Sequence, residues 1–348
     1  MLAARSVSIA VVLAALVAPA CGPPASRSDE WEALDSSASA VVVMRRAADA
    51  AELLGEIRRR TETATVTLDP FADDGELGRM NRVAPDRFYE IEQVDLFACL
   101  RLALDYAEES DGAYDPTIGA LDSLYASRLE TAEPPRPAEI DVVLTQVGWE
   151  KVTVEPEVRA VRYRAPRLVV DLGPVAVGCA VDWAARAFAR PGSIGGLIRV
   201  GGAHRAWGRP PDRPSWAVGL DDPRSPGRTL VELDVTNRGV AVCGQPATSE
   251  SSGQARLREI DVLDPRTGRP AATDLLAVVT TADSAADAAA LCHVIHVAGS
   301  LAGTDIFREM RRAETVMLVR ADDGPPYLVA SASLRGRLRL SEALSAEV

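Results

Sequence analysis

The sequence is poor in the residues that bind anionic polymers. It contains one lysine, Lys151, and three histidines among 348 residues, and acidic residues outnumber basic ones by 50 to 38, for a formal net charge of −12. Neutralising the phosphates of a nucleic acid requires clustered cations. The composition therefore argues against a nucleic-acid partner, and equally against attachment to a membrane through a basic patch.

The sequence also lacks any C-x-x-C pair. The cysteines after Cys21 lie far apart in apolar or glycine-rich surroundings, at Cys99, Cys179, Cys243 and Cys292. Their spacing supports neither a zinc site nor a redox motif, so we expect small buried hydrophobic residues. A disulfide between two of them is the alternative in an exported protein, and the sequence does not select the pair.

The N-terminus carries a short apolar run, residues 7–17, that is too short to span a bilayer. Arg5 precedes it and small residues lead to Cys21, as in a bacterial lipoprotein cleavage site. We expect residues 1–20 to be a signal peptide and Cys21 to be lipidated, which places the chain on the periplasmic or outer side of a membrane. The alternative is an ordinary secretory signal cut nearby. Loss of Arg5 changes the net charge from −12 to −13.

The remaining chain is expected to form one body over residues 35–348, joined to the lipid by a flexible tether over residues 21–34, which are polar and rich in Pro and Ser. A hydrophobic content of 47% is enough for a sizeable core. Strand and helix patterns mix without regular alternation, which predicts an α+β fold. Residues 128–141, rich in Pro and Glu, are predicted to be a surface loop.

Residues 169–182 join a predicted strand to a predicted helix through Gly173 and Pro174. A helix that starts after a glycine can offer free N–H groups and a positive dipole end to an anion. Asp171 and Gly173 are therefore candidate anion-binding residues. The alternative is a simple turn.

Other segments also admit a functional and a structural interpretation. Glu76 and Asn81 lie in a turn-rich segment; Asp115 is placed to cap a short helix; Gly201 and Gly202 follow a strand and allow either close ligand approach or a tight turn. His293 and His296 are spaced to chelate a metal on one helix, although the surrounding apolar residues favour packed imidazoles.

Taken in order, these segments resemble the FAD:protein FMN transferases, the ApbE-type flavin transferases. The family pattern is S-E-L-x-x-x-N, D-G-A-F-D-P-T, D-L-G-G-I-A-K-G-Y-A-V-D, G-G-D, T-S-G, H-I-I-D-P-x-T-G-x-P and A-D-A-x-x-T. The matching residues are Glu76, Leu77 and Asn81, residues 111–117, Asp171 to Gly173 with Gly178 and Asp182, Gly201 and Gly202, and Asp264 to Pro270.

The resemblance implies a mixed-sheet α+β fold of two joined lobes with the flavin site between them. It also implies a reaction in which an acceptor-protein hydroxyl attacks the FMN-side phosphorus of FAD and AMP is released, with Mg²⁺ neutralising the phosphates. The partners are then FAD and an acceptor protein. By position, the cofactor-binding residues are Glu76, Asn81, Asp115, Asp171, Gly173, Gly178, Gly201 and Gly202, and the catalytic residues are Asp115 and Asp261.

Several chemically important family positions are substituted. The family lysine is Val177, the G-G-D aspartate is Ala203, the T-S-G serine is Cys243, and the histidine before I-I-D-P is Asp261. Counting back from Gly299, the metal-binding aspartate and threonine are Ala289 and His293. His293 and Asp287 are the alternative metal ligands. Two functions remain open: an FMN transferase with altered ligands, or a non-catalytic relative that binds a flavin nucleotide or a protein.

Overall fold

The computed structural model describes residues 24–128, 133–222, 225–244, 262–309 and 313–341. Cys21 and Asp261 lie outside these ranges, so the lipidation of the first and the catalytic role of the second stay predictions. The described residues form seven α-helices: α1 (Ala47–Leu68), α2 (Glu76–Val83), α3 (Val94–Glu109), α4 (Gly119–Ala126), α5 (Pro137–Leu144), α6 (Gly173–Ala185) and α7 (Ala285–Glu309). They also form sixteen strands: β1 (Ala25–Ala33), β2 (Ser36–Met44), β3 (Tyr89–Glu90), β4 (Val152–Glu155), β5 (Ala160–Tyr163), β6 (Ser193–Val200), β7 (Ala203–Gly208), β8 (Trp216–Asp222), β9 (Ser225–Val235), β10 (Gly239–Cys243), β11 (Leu263–Asp264), β12 (Arg269–Pro270), β13 (Leu275–Ala282), β14 (Glu314–Val319), β15 (Tyr327–Ala330) and β16 (Leu338–Leu340).

The main sheet has eight antiparallel strands in the order β1-β2-β6-β7-β10-β13-β14-β15. Its central strands consist largely of Val, Ile, Leu and Ala, and they are buried because both faces are covered. Helices α1, α6 and α7 cover one face, and the small sheet β16-β9-β8 covers the other. This mixed arrangement confirms the predicted α+β class.

The predicted tether over residues 21–34 is wrong from Ala25 onward. Strand β1 pairs with β2 along its whole length, from Ala25 opposite Met44 to Ala33 opposite Ser36. It is an edge strand with most side chains in solvent, which explains its polar composition. Trp31 is buried against α1, where its indole N–H donates to the Thr61 hydroxyl at 2.9 Å.

A second lobe surrounds the outer side of α6. It contains α2, α3 and the small sheet β3-β5-β4, and its core is continuous with buried residues of α6 and α7. Helices α4 and α5 add a small cluster of Leu121, Ile140 and Val147. The surface loop predicted over residues 128–141 is therefore partly wrong, because α5 begins at Pro137, a residue suited to a first helical turn.

Helix α7 is the longest helix of the described chain, at 25 residues. By length and composition, residues 285–306 could cross a membrane, but 67% of their most apolar window is buried inside the protein. That burial is typical of a core helix. Gly299, at φ 79°, interrupts the helical backbone, so α7 consists of two helical segments on either side of it.

Candidate active site

Glu76 lies at the start of α2 and is 1% exposed. Its carboxylate accepts the backbone N–H of Glu92 at 2.5 Å and that of Gln93 at 3.0 Å. Gln93 is the residue from which α3 begins, so Glu76 satisfies N–H groups that the helix cannot pair internally. In this structure Glu76 joins α2 to α3, and this contact explains its burial without a ligand.

Asn81 has a comparable connecting role. Its amide donates to the carbonyls of Pro70 and Val170, at 3.0 and 2.9 Å, and its oxygen accepts the Val170 N–H at 3.0 Å and the Tyr163 hydroxyl at 2.8 Å. The side chain thus binds backbone that precedes Asp171, which fixes the segment leading into α6.

Asp115 is 4% exposed. One oxygen accepts the N–H and the hydroxyl of Thr117, at 2.8 and 2.7 Å, and the other accepts the Trp149 N–H at 2.9 Å. Burial raises the pKa of the carboxyl, and the N–H and O–H donors oppose that rise. Asp115 therefore closes the turn at Thr117 and holds the Trp149 segment, whereas the predicted helix cap is wrong, because α4 begins only at Gly119 and has no side-chain cap.

The start of α6 differs from the open anion site that the sequence suggests. The Gly173 N–H donates to the Asp171 carboxylate at 2.9 Å, and the N–H groups of Val175 and Ala176 both bond to the Leu172 carbonyl. Pro174 has no N–H. The donors of this turn are already used, and a carboxylate occupies the position expected for an anion. Gly173 nevertheless has φ 49° and open space where a side chain would begin.

Gly178 sits where α6 crosses α7. A Cβ placed on it would lie 2.5 Å from the Ala286 Cα and 2.6 Å from the Ala285 carbonyl oxygen. Asp182, one turn further along α6, accepts the N–H groups of Ala285 and Ala286 at 3.0 Å each. Gly178 and Asp182 together seat the first turn of α7 on α6, which is a structural reason for two residues of the family pattern.

Replacing Gly178 with Ala is expected to lower the free energy of unfolding by about 1–3 kcal/mol, because the two helices must move apart to admit one methyl group. Chemical denaturation followed by circular dichroism measures the change. Gly336→Ala is the matched control, since nothing lies within 4 Å of its Cβ position and its φ is not positive. An equal loss in both variants would contradict the close-crossing explanation.

Gly201 and Gly202 form the tight turn between β6 and β7. Gly201 has φ 51°, and a Cβ on Gly202 would lie 2.2 Å from the Val242 carbonyl oxygen. The Val242 N–H donates to the Gly202 carbonyl at 2.9 Å. The close approach that the glycine pair predicts is therefore to strand β10.

His293 faces the second lobe from the middle of α7. Its ring meets the Tyr114 ring edge-on, with centroids 5.8 Å apart, and the Tyr114 hydroxyl donates to the Leu172 carbonyl at 2.9 Å. Burial and the neighbouring His296 lower the pKa of His293 to about 4, against an opposing effect of Asp264. The imidazole is thus neutral at physiological pH. Through Tyr114, His293 is connected to the start of α6.

Asp287, the other alternative ligand, lies six residues before His293. Six helical residues turn through about 600°, so the two side chains diverge by roughly 120°. Their contacts differ accordingly: the Asp287 carboxylate accepts the Tyr106 hydroxyl at 2.9 Å and also the Ser284 hydroxyl, whereas His293 contacts Tyr114. The structure does not bring these two predicted ligands together.

The family-implied Mg²⁺ does not fit the residues at its expected position. Mg²⁺ prefers oxygen ligands in octahedral geometry. Ala289 offers none and is 3% exposed in an apolar cluster, and His293 offers nitrogen. Within the described ranges, no group of three or more His, Cys, Asp or Glu side chains could hold a metal ion. Val177, at the position of the family lysine, is partly buried against the core of α1 and the main sheet.

Two disulfides join the four described cysteines. Cys99 of α3 pairs with Cys179 of α6, and Cys243 at the end of β10 pairs with Cys292 of α7. The expectation of free buried cysteines is therefore wrong, and the disulfide alternative is correct. The second disulfide replaces the family T-S-G serine with a covalent link to the residue before His293. The scattered spacing of these cysteines gave no means of choosing the pairs.

Asp122 was missed by the sequence analysis. It lies on α4 one turn after Gly119. Gly119 is close to Asp171, because a Cβ atom added to Gly119 would lie 3.2 Å from the Asp171 Cβ. Burial, with a smaller effect of the Asp171 charge, raises the pKa of Asp122 to about 7. Burial also raises the pKa of Asp171, against the opposing Gly173 N–H. Two carboxyl groups therefore lie close together beside the start of α6.

Asp122→Asn is expected to stabilise the protein at alkaline pH. The pKa of this carboxyl is about 7 in the folded protein and near 4 in the unfolded chain. Its contribution to the free energy of unfolding is therefore fully present below about pH 4 and is lost as the pH rises through about 7. The variant should therefore gain on the order of 2 kcal/mol over the unmodified chain at pH near 8 and little in acid. Thermal unfolding across this pH range measures the gain. Asp86→Asn, at an exposed site, should show none.

An eight-stranded antiparallel sheet, covered by helices and joined to a second helical lobe, is the architecture of the ApbE flavin-transferase fold. The solved structure "Flavin Transferase ApbE from Vibrio cholerae" matches 90% of this chain and 100% of its own, with a TM-score of 0.78 and 21% identity. The ApbE protein of Thermotoga maritima matches with a TM-score of 0.77 and 22% identity, over 90% of this chain and 100% of its own. The ApbE family model matches residues 34–317, and the chain belongs to that family.

Curated relatives agree with this membership. A Treponema pallidum protein named FAD:protein FMN transferase is 26% identical over 313 residues, which cover 86% of this chain and 84% of that protein. The protein of the same name from Escherichia coli K12 is 26% identical over 243 residues, 68% of each chain.

Proposed function

We propose that this chain is an exported, lipid-anchored FAD:protein FMN transferase of altered site chemistry. The observation that carries the proposal is the family match over residues 34–317, combined with curated relatives of that name that align over most of their length. FAD is the nucleotide substrate, and a hydroxyl of an acceptor protein receives FMN with release of AMP.

The structure supports a specific division of work among the residues. Asn81 holds the backbone that leads into α6, Asp115 holds the Trp149 segment, and Glu76 joins α2 to α3. Gly173 leaves open space at the start of α6, where a nucleotide could approach the backbone. His293 presents a neutral imidazole on the neighbouring helix. In this assignment Asp261 would act as the general base. It would take the proton from the hydroxyl group of the acceptor protein, in place of the family histidine.

The second candidate function is flavin-nucleotide binding without transfer. A specific observation favours it: the residues at the expected metal position, Ala289 and His293, do not supply oxygen ligands. A metal that neutralises a transferring phosphoryl group contributes several kcal/mol to transition-state stabilisation, and its loss lowers the rate by roughly a hundredfold or more.

One experiment separates the two functions. The purified protein beginning at Cys21 is incubated with FAD, Mg²⁺ and an acceptor domain that a Vibrio cholerae ApbE enzyme labels, and flavin fluorescence on the acceptor is read in a denaturing gel. FAD affinity is measured in parallel by titration. Labelling supports transfer. FAD binding without labelling supports the second function, and the absence of both would contradict the proposal.

A further inference from the structure

The main sheet has two ends with different properties. At one end the first residue of β1, Ala25, lies opposite Met44, the last residue of β2. We call this the Ala25 end; it comprises Ala25, residues 44–46 and Gly192, since the Arg45 N–H donates to the Gly192 carbonyl at 3.0 Å.

The opposite end carries the candidate site. Ala33 and Ser36 close the β1–β2 hairpin there, and the Gly201 N–H donates to the Ser37 carbonyl at 3.0 Å. Gly202 and the Cys243–Cys292 disulfide lie at the same end. Ala241 of β10 pairs with Ala203, the first residue of β7, and Cys243 follows Ala241 by two residues. The eight steps from Ala25 to Ala33 along β1 separate the two ends by about 27 Å at roughly 3.4 Å per residue.

The Ala25 end carries exposed arginines although the whole chain has a net charge of −12. Arg27, Arg45 and Arg209 are exposed there, and none lies within ion-pair distance of a carboxylate in the described parts of the chain. Arg209 belongs to this end because its backbone lies beside Gly195, which pairs with Val43.

Other charges at this end are largely paired with one another. Arg46 lies 3.7 Å from Asp49, and Arg190 donates to Glu52 at 2.8 Å. Asp212 is an exposed carboxylate in the loop after β7. Trp207, the residue before the last in β7, is 39% exposed, and indole side chains favour the interface between water and lipid. Exposed arginines beside an exposed tryptophan match the chemistry of an anionic lipid surface.

Chain length relates this end to a bilayer. Cys21 precedes Ala25 by four residues, which span at most about 14 Å when extended. We propose that the Ala25 end rests on an anionic bilayer surface, with Arg27, Arg45 and Arg209 contacting lipid phosphates, so that the candidate site faces away from the membrane. The proposal rests on the lipid attachment at Cys21 and does not depend on FMN transfer.

The acidic surface elsewhere does not prevent this contact at physiological salt. The Debye length there is about 8 Å, so charges a strand length away from the bilayer are screened, whereas arginines at the surface are not. The lipid anchor restricts the chain to the surface, and the arginines then select its orientation. The proposal differs from the sequence-based expectation that attachment to the membrane involves no basic patch.

The test uses the protein beginning at Cys21, with a single myristoyl chain attached to the Cys21 thiol. The other four cysteines are paired in disulfides, so Cys21 is the available thiol. One such chain gives only marginal membrane binding, which leaves electrostatic contributions measurable. Partitioning is measured on phosphatidylcholine vesicles with and without phosphatidylglycerol. We expect phosphatidylglycerol to increase binding by on the order of 30-fold, given a contribution of about tenfold or less from each arginine.

The variant R27E/R45E/R209E should lose this preference. The matched control is R87E/R162E/R167E, which makes the same charge change at exposed positions outside the Ala25 end and should retain it. Equal partitioning of the unmodified protein on both vesicles, or equal loss in both variants, would overturn the proposal. FAD binding by each variant is measured separately and should be unchanged. The mass of the native exported protein shows independently whether Cys21 carries lipid.

Discussion

Replacing Ala289 with Asp and His293 with Thr is expected to make both stability and FMN transfer depend on Mg²⁺. The two positions are four residues apart on α7 and share one face, so the variant would place two oxygen ligands side by side. Ala289 is 3% exposed among apolar residues, so the new carboxylate is costly to bury without a cation. Mg²⁺ at a hundredfold excess over its dissociation constant should then stabilise the variant by about 2.7 kcal/mol.

The measurement is the melting temperature with and without Mg²⁺, followed by the rate of acceptor labelling. We expect a Mg²⁺-dependent rise in melting temperature that the unmodified chain lacks, and a labelling rate higher by roughly a hundredfold or more. Ala288→Asp is the control, since Ala288 is equally buried in the same cluster as Ala289 but lies five residues before position 293, about 140° away around the helix. It should be destabilised without rescue by Mg²⁺. Equal rescue of both variants would show that position 289 has no special relation to the site.

Loss of the two disulfides is expected to have the largest effect on stability. Cys99–Cys179 and Cys243–Cys292 close loops of 80 and 49 residues, and constraining loops of that length in the unfolded chain is worth about 4 kcal/mol each in the chain-entropy account. We expect Cys99→Ala/Cys179→Ala to lower the free energy of unfolding by roughly 2–5 kcal/mol. Urea denaturation measures it.

The second pair gives a matched comparison. Cys243→Ala/Cys292→Ala should lower the free energy of unfolding by a similar amount. It should also change FAD affinity, because this disulfide adjoins His293. A reductant should lower the free energy of unfolding of the unmodified protein in the same way. It should leave the free energy of unfolding of a variant that lacks both disulfides unchanged. A reductant effect on that variant, or no effect on the unmodified chain, would contradict the pairing.

The sequence predicted the fold class and many of the elements, because apolar periodicity is local. Leu96, Leu100, Ala103 and Ala107 recur at helical spacing in the sequence, and all four are buried on one face of α3. Strand β1 was missed because an edge strand with one side in solvent has the composition of a polar linker. In α1, Thr61 and Thr67 continue the buried face as far as Leu68, so apolar spacing alone does not mark the end of this helix.

The candidate site was predicted less well, for a physical reason. Motif residues identify which segments come together, but a carboxylate that binds a phosphate-bearing ligand and one that caps a helix have the same sequence signature. Glu76, Asp115 and Asp171 all proved to accept backbone N–H groups. Asp122 carried no signal because its raised pKa arises from burial beside Asp171, a contact between segments about fifty residues apart.

These contacts also explain how the fold tolerates the substitutions that the resemblance predicts. The family-pattern residues Gly178, Gly202 and Asp182 fill positions where helices and strands approach closely. The positions predicted to be substituted, Val177, Ala203 and Ala289, lie in apolar clusters that accept these side chains. Stability therefore does not require the ligands that the family reaction uses.

We expect the chain to bind FAD although Ala289 and His293, the residues at the expected metal position, supply no oxygen ligands for Mg²⁺. The most direct test is acceptor labelling by the unmodified protein at saturating FAD, with Mg²⁺ in one arm and EDTA in the other. We predict measurable FAD binding in both arms and a labelling rate, slow or undetectable, that does not differ between them. Rapid labelling that requires Mg²⁺ and is abolished by EDTA would contradict the claim.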